Sequence, residues 1–341
     1  MFDTPWWSGL AVLNISCEPK LLEILAADGT KIAGFQWQHK AFSHEPRSVV
    51  IINPATSVRC RYYARFAEFL CRAGFDVLTY DYRGIGESRP KTLNGFDAGW
   101  IDWGERDFEA VLRYAAHSFP GQPIDVVAHS VGGFLVGLAE SNHLIRRVFS
   151  MGAQYAYWRD YAADRRWRML LKWNLAMPML TLAFGYFPGK RLGWLEDTPK
   201  GVIRDWVLSR RRFEDTWRGR ASSRYPSKKT LVQRFSAVTA PILAISVADD
   251  EFGTTAAIER LLQYFRRSSR HHVRISPHAV GEKQIGHFGF FHSRFEKTLW
   301  PIALTWLTTG CIEVDWPGEL ISSAKGQPLN PGTEIAPADA T

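Results

Sequence analysis

Ser130, the adjacent carboxylates Asp249 and Asp250, and His287 stand along the chain in the order nucleophile, acid, base. A serine hydroxyl is a weak nucleophile at neutral pH. It needs a base within hydrogen-bond reach, and that base needs a third group to orient it. Residues of these types could attack a carbonyl and carry the acyl group as a serine ester. Ser130 lies in Val126-Val127-Ala128-His129-Ser130-Val131-Gly132-Gly133. The positions two before and two after it, Ala128 and Gly132, are small, as the sharp turn of a nucleophile elbow demands. Such a turn aims the Val131 N–H at the place where an oxyanion would form. The second oxyanion donor should come from the loop after an early strand, here Asn53-Pro54-Ala55-Thr56. Pro54 has no N–H, which leaves Ala55 first and Thr56 next. Thr56 and His129, beside these donors, are read as substrate contacts.

The acid closes an apolar run at Val247. Thr254 stands where a turn-closing residue follows the acid, which favours Asp250, with Asp249 as the alternative. Either could instead cap a helix starting near Thr255. His287 sits in a glycine-flanked apolar loop, Gln284 to Phe290. A lone histidine is more often a satisfied core residue; three groups in the right order at strand ends favour chemistry.

These residues need elements to position them. Ser48–Ile52, Asp76–Tyr80, Ile124–Val127, Val148–Met151, Pro241–Val247 and His272–Ser276 read as short strands. Several are continuous apolar runs, as strands buried on both faces require. Leu21–Leu25 and Ile32–Trp37 flank Asp28-Gly29, a hairpin signal. Helical spacing appears at Tyr62–Cys71, Trp103–Ala116, Phe134–Glu140, Ala256–Phe265 and Ser293–Leu307. Alternating strands and helices with short connections predict an α/β fold with a mostly parallel, right-handed, doubly wound sheet. The alternation stops between about 154 and 236. The expected division is a core over 18–153, an insertion over 154–236, a second core part over 237–317 and a flexible tail over 318–341.

The 341 residues, 46% hydrophobic, suffice for one large core with an insertion. The four cysteines are scattered, without C-x-x-C spacing, which reads as reduced thiols in a cytoplasmic protein. The N-terminus lacks a basic region followed by an apolar one, which reads as no secretory signal. No apolar run is long enough to span a membrane; Trp173–Phe187 comes nearest and is broken by Pro178 and Gly185.

The elbow, the segment Asp81-Tyr82-Arg83-Gly84-Ile85-Gly86-Glu87-Ser88 and Gly286-His287-Phe288 together resemble the α/β-hydrolase superfamily. Within it they are similar to the serine-aminopeptidase/monoacylglycerol-lipase-like group, over roughly residues 20 to 310. The resemblance implies the α/β-hydrolase fold, with about eight strands and a helical cap between strands six and seven. It gives Asp81 and Arg83 a structural role in pinning the loop beside the site. Members often carry His-Gly where this chain has Asn53-Pro54. The activity implied is a serine hydrolase cleaving a carboxylic ester through an acyl-enzyme. Ser130, His287 and Asp250 would be its triad, and neither cofactor nor metal is called for. The same groups could cleave an amide or transfer the acyl group. A non-catalytic binding protein of this fold is the reading from another class, and usually lacks a triad member.

Residues 154–236 hold 18 Lys/Arg against 7 Asp/Glu, an excess larger than the +8 of the whole chain. Tryptophans at 158, 167, 173, 194, 206 and 217 are spread through this segment. Its apolar residues Leu170, Leu171, Leu175, Met177, Met179, Leu180, Leu182 and Phe184 are expected to line an acyl pocket. Its basic face would attract an anionic head group or membrane surface. No nucleic-acid-binding motif accompanies the arginines, so a nucleic-acid partner is not expected. The adjacent His271 and His272 point to opposite sides of a strand and make a poor metal pair.

Overall fold

The apolar runs form strands because only a sheet covered on both faces can take them. Val49–Asn53, Asp76–Tyr80, Ile124–His129 and Ile242–Val247 are buried at every residue. The structure, a computed structural model, describes residues 17–39, 48–216 and 225–326. The N-terminal residues 1–16, Trp217 and the tail beyond 326 lie outside the described residues.

In chain order the strands of the main sheet are β1 (Lys20–Leu25), β2 (Lys31–Trp37), β3 (Val49–Asn53), β4 (Asp76–Tyr80), β5 (Ile124–His129), β6 (Ile145–Met151), β7 (Ile242–Val247), β8 (Arg270–Ile275) and β9 (Glu319–Ala324). Their spatial order is β1-β2-β4-β3-β5-β6-β7-β8-β9. The six strands from β4 to β8 pair in parallel. The β1–β2 hairpin and β9 close the edges antiparallel.

Among the described residues the sheet therefore has nine strands, one more than the eight expected. The addition is β9, which lies where a flexible tail was anticipated. Glu-Leu-Ile-Ser-Ser-Ala is an edge strand covered on neither face, so it lacks the apolar run that marks the central strands.

Helices cover both faces. One apolar layer holds α1 (Ala64–Arg72) and the C-terminal helix Trp300–Thr309, with Phe66 and Trp300 meeting at 5.2 Å between ring centroids. The other holds the helical stretch 100–118 and the elbow helix Val131–Val136, joined by Trp206, Phe213 and Phe235 from the segment after β6. The loop after β4 is braced as expected. Asp81 accepts the N–H groups of Cys60 at 2.6 Å and Glu87 at 2.8 Å. Arg83 joins Asp107 and Asp28, each at 2.6 Å.

One expectation about the cysteines fails. Cys17 and Cys71 are disulfide-bonded, with Cα atoms 6.1 Å apart, while Cys60 and Cys311 are free. Fifty-four residues separate the two in sequence, so spacing gave no hint of the pair. Scattered cysteines are thus no longer an argument for a reducing compartment. Among the described residues, no helix is long and apolar enough to cross a membrane.

Candidate active site

The sequence Ala-His-Ser-Val-Gly-Gly forces a tight passage from β5 into the helix that follows. Ser130 has φ 54° and ψ −123°, a conformation L-residues rarely adopt. The strain is held by close packing. A Cβ on Gly132 would lie 2.4 Å from the Asn53 carbonyl oxygen. Asn53 donates to the Gly132 carbonyl at 3.2 Å and accepts from the Tyr80 hydroxyl at 2.9 Å. Asn53 thus ties the end of β3 to the elbow.

Ser130 and His287 line one cavity of about 170 Å³. The Nδ1 of His287 lies 2.7 Å from the Oδ2 of Asp250, and both side chains are buried. The other Asp250 oxygen accepts the N–H groups of Phe252 and Gly253, each at 2.8 Å. Burial alone would raise the Asp250 carboxyl. The His287 ring and the two N–H donors outweigh it and hold the group below the ordinary carboxylate value. Asp249 faces elsewhere: it accepts Ile285 and Gly286 N–H groups at 3.0–3.1 Å and so anchors the loop that carries His287. Gly152, at φ 58°, lets the chain pass this pair. A Cβ there would stand 3.0 Å from Asp250 and 3.1 Å from His287.

His129 does not meet the cavity, contrary to its expected contact with substrate. It is fully buried, and its Nε2–H donates to the His287 carbonyl at 2.9 Å. Its Nδ1 accepts from the Tyr63 hydroxyl at 2.8 Å, and that hydroxyl accepts the Ala55 N–H at 2.9 Å. Burial, reinforced by the neighbouring His287, pushes His129 down to about 3. A neutral ring is what this donor–acceptor chain needs. The chain has a second consequence. Ala55 borders the cavity, but its N–H is engaged by Tyr63, whereas Thr56 also borders the cavity and its N–H has no protein partner among the described residues.

The cavity walls also depart from expectation. They are aromatic: Trp100, Trp173, Trp194, Trp206, Phe252 and Phe288. None of the eight aliphatic, methionine and phenylalanine residues expected to line the pocket does so. On the continuous helix over 166–184, Met169, Trp173, Met177 and Thr181 face inward and are buried, four residues apart. Leu171, Leu175, Met179, Leu182 and Phe184 consequently face solvent.

Motif reading missed Gln154, Lys172 and Glu251. The Gln154 amide lies 3.5 Å from Ser130 Oγ, and its oxygen accepts the Ala156 N–H. Lys172 reaches the cavity with its ammonium 4.3 and 4.5 Å from the centroids of Trp173 and Trp194. Burial there lowers its pKa below the ordinary lysine value. Glu251 borders the cavity and pairs with Arg165 at 3.4 Å. The run Asp249-Asp250-Glu251 was the one signal for Glu251; Gln154 and Lys172 had none.

A family model described as serine aminopeptidase, S33, matches residues 44–280. Solved structures share the fold. A soluble variant of monoglyceride lipase from Saccharomyces cerevisiae, bound to a substrate analogue, superposes with a TM-score of 0.61 at 13% identity, over 91% of this chain and 100% of its own. An esterase from Pyrococcus furiosus gives 0.53 at 16% identity, over 90% and 96%. Puromycin hydrolase gives 0.52 at 17% identity over 91% of this chain, which spans 42% of that longer protein. No curated protein matches the sequence.

Proposed function

The chain belongs to the serine aminopeptidase S33 family of α/β-hydrolases, and on that premise we propose that it is a serine hydrolase cleaving a carboxylic ester through an acyl-enzyme. The observation that carries this reading is the positive-φ Ser130 at a strand–helix turn, sharing one cavity with a histidine whose Nδ1 is held by a buried carboxylate.

His287 Nδ1 is engaged by Asp250, so Nε2 is the basic nitrogen. It takes the Ser130 proton as Oγ attacks the ester carbonyl. The tetrahedral oxyanion draws on the Val131 N–H and on Thr56, whose N–H is free of protein partners where that of Ala55 is not. The C–O bond then breaks, and the alcohol leaves with the proton from His287. Water, giving a proton to the same nitrogen, attacks the acyl carbonyl. The acid departs, and Ser130 recovers its proton. Asp250 keeps the ring oriented and stabilises its charged form. The segment between β6 and β7 acts as a cap that walls the substrate with tryptophans, which suits a small apolar group beside the scissile bond.

Glu251 favours a second reading. A carboxylate bordering an aromatic cavity could hold a free amino group, as an amidase acting on an aminoacyl substrate requires.

Fluorophosphonate labelling tests the nucleophile. The label should fall on the peptide containing Ser130. Ser130→Ala should lose it, together with turnover by on the order of 10⁶-fold. Undiminished hydrolysis by that variant would sink the mechanism. Comparing p-nitrophenyl esters with aminoacyl p-nitroanilides separates the two substrate classes.

A further inference from the structure

The helix over 166–184 carries an apolar row on its outer side. Trp167, Leu171, Leu175, Met179 and Leu182 are 53–70% exposed. In a regular α-helix a step of four residues drifts by ~40°, so such a row would wind around the axis. Here residues 170–176 form wider π-helical turns between α-helical ends, which offset the drift and keep the row on one side. Exposed apolar side chains scattered singly need no explanation, but five along one helix face mark a contact surface.

The charge beside the row says what contact. Residues 165–195 contain six Lys/Arg and no Asp or Glu. Arg168 and Arg191 are exposed and make no ion pair among the described residues, and Arg191 lies 5.8 Å over the Phe184 ring. Arg165 and Lys190 are exposed as well, though each has an acidic neighbour. A second copy docking through this face would set like charges against each other. Nineteen residues make a rod of about 28 Å, suited to lying in the plane of an interface rather than crossing it. An apolar side flanked by cations, with no acid within the helix itself, is the make-up of a helix that rests at the boundary between lipid head groups and acyl chains.

We propose that the outer face of helix 166–184 docks the protein onto an anionic lipid bilayer. The inner face of the same helix supplies Lys172 and Trp173 to the cavity around Ser130. Docking therefore places a wall of the candidate active site against the membrane and favours an amphiphilic ester as substrate. That last step rests on the hydrolase reading; docking itself does not.

The experiment is co-sedimentation of the full chain with vesicles of phosphatidylcholine alone and of phosphatidylcholine containing one quarter phosphatidylglycerol. The chain should pellet with the anionic vesicles and far less with the neutral ones. The double substitution Leu175→Glu with Met179→Glu, at two exposed positions away from the cavity, should weaken vesicle partitioning by about ten-fold or more. Turnover of a water-soluble ester should not change. Should the double variant fail to fold by circular dichroism, Leu182→Glu alone makes the same test. Three results would overturn the proposal: no binding to either vesicle type, equal binding by the folded variants, or a dimer in light scattering that the substitutions abolish without any vesicle binding. Because binding and turnover are read separately, loss of the hydrolase reading would leave the docking result standing.

Discussion

Ser246, His272 and Glu259 form a second serine–histidine–carboxylate relay in this molecule. Ser246 Oγ is 2.8 Å from His272 Nε2, and His272 Nδ1 is 2.7 Å from Glu259. It cannot do the chemistry assigned to Ser130. Ser246 is 1% exposed and lies within β7 rather than at a strand–helix turn. What distinguishes Ser130 is the strained turn that lifts its hydroxyl to a cavity. The acidic pair shows a similar division. Asp250 holds His287, and Asp249 holds the loop beneath it, so Asp250→Asn should lower kcat by about 10⁴-fold. Asp249→Asn, which keeps one acceptor oxygen, should stay within about ten-fold. Steady-state kinetics of the two variants decides it, and the reverse order would exchange their roles. His129 makes a pH prediction. Its pKa falls from 6.5 to about 3 on folding, so between those values the unfolded chain binds a proton that the folded chain refuses. Its contribution is fully present above pH 6.5 and is lost as pH falls, by at most about 1.4 kcal/mol per pH unit. The lowered Asp250 acts in the same direction, but only below the ordinary carboxylate range. Buried carboxyls raised on folding, Asp107 foremost, act in the opposite direction between pH 6.5 and 4.5, so the His129 contribution is read as a difference. In urea denaturation, His129→Gln should lose less stability, or gain more, on acidification over that range than the parent chain. An unchanged pH dependence in the variant would overturn this assignment to His129.

At the level of elements, legibility followed burial. Asp76–Tyr80 and Ile242–Val247 were readable because strands covered on both faces are apolar at nearly every position. The elbow was readable because the turn leaves few residue types open at 128, 132 and 133. Its helix begins at Val131, three residues before the expected start, since Gly132 and Gly133 are poor helix formers that the close approach of Asn53 and Ala153 demands. β9 was invisible because its residues are mostly exposed, and its pairing with β8 is a tertiary fact. The insertion was legible as helical and basic but not in its facing. An apolar residue on a helix is as compatible with a membrane-facing row as with a pocket, and the inward tryptophans could not be told from the outward aliphatics without the helix phase. For the candidate site, a local motif carried Ser130, Asp250 and His287. Gln154, Lys172 and the loss of the Ala55 N–H to Tyr63 arise only when distant segments meet.

On the scale of the whole molecule, the disulfide ties the first described residue to α1 and encloses the β1–β2 hairpin, β3 and most of α1 in one loop. These elements lie on one side of the Ser130 strand, and Asn53 and Tyr63, which brace the site, are within the loop. Cross-linking across 54 residues restricts the unfolded chain much more than the folded one, worth about 4 kcal/mol in the loop-entropy account. The packing of α1, where Phe66 and Phe69 meet the Trp300 ring, does not depend on the bond, so the reduced protein should still fold. Two measurements check this. Thiol titration of the oxidised chain under denaturation should give two free thiols, Cys60 and Cys311, and four after reduction. Guanidinium unfolding should then shift to lower denaturant on reduction, while Cys71→Ser should be insensitive to reductant from the outset. Four free thiols without reductant would remove the bond from the working protein. Two thiols with no change in stability would mean that the unfolded chain already holds these segments together, and that the loop-entropy account fails here.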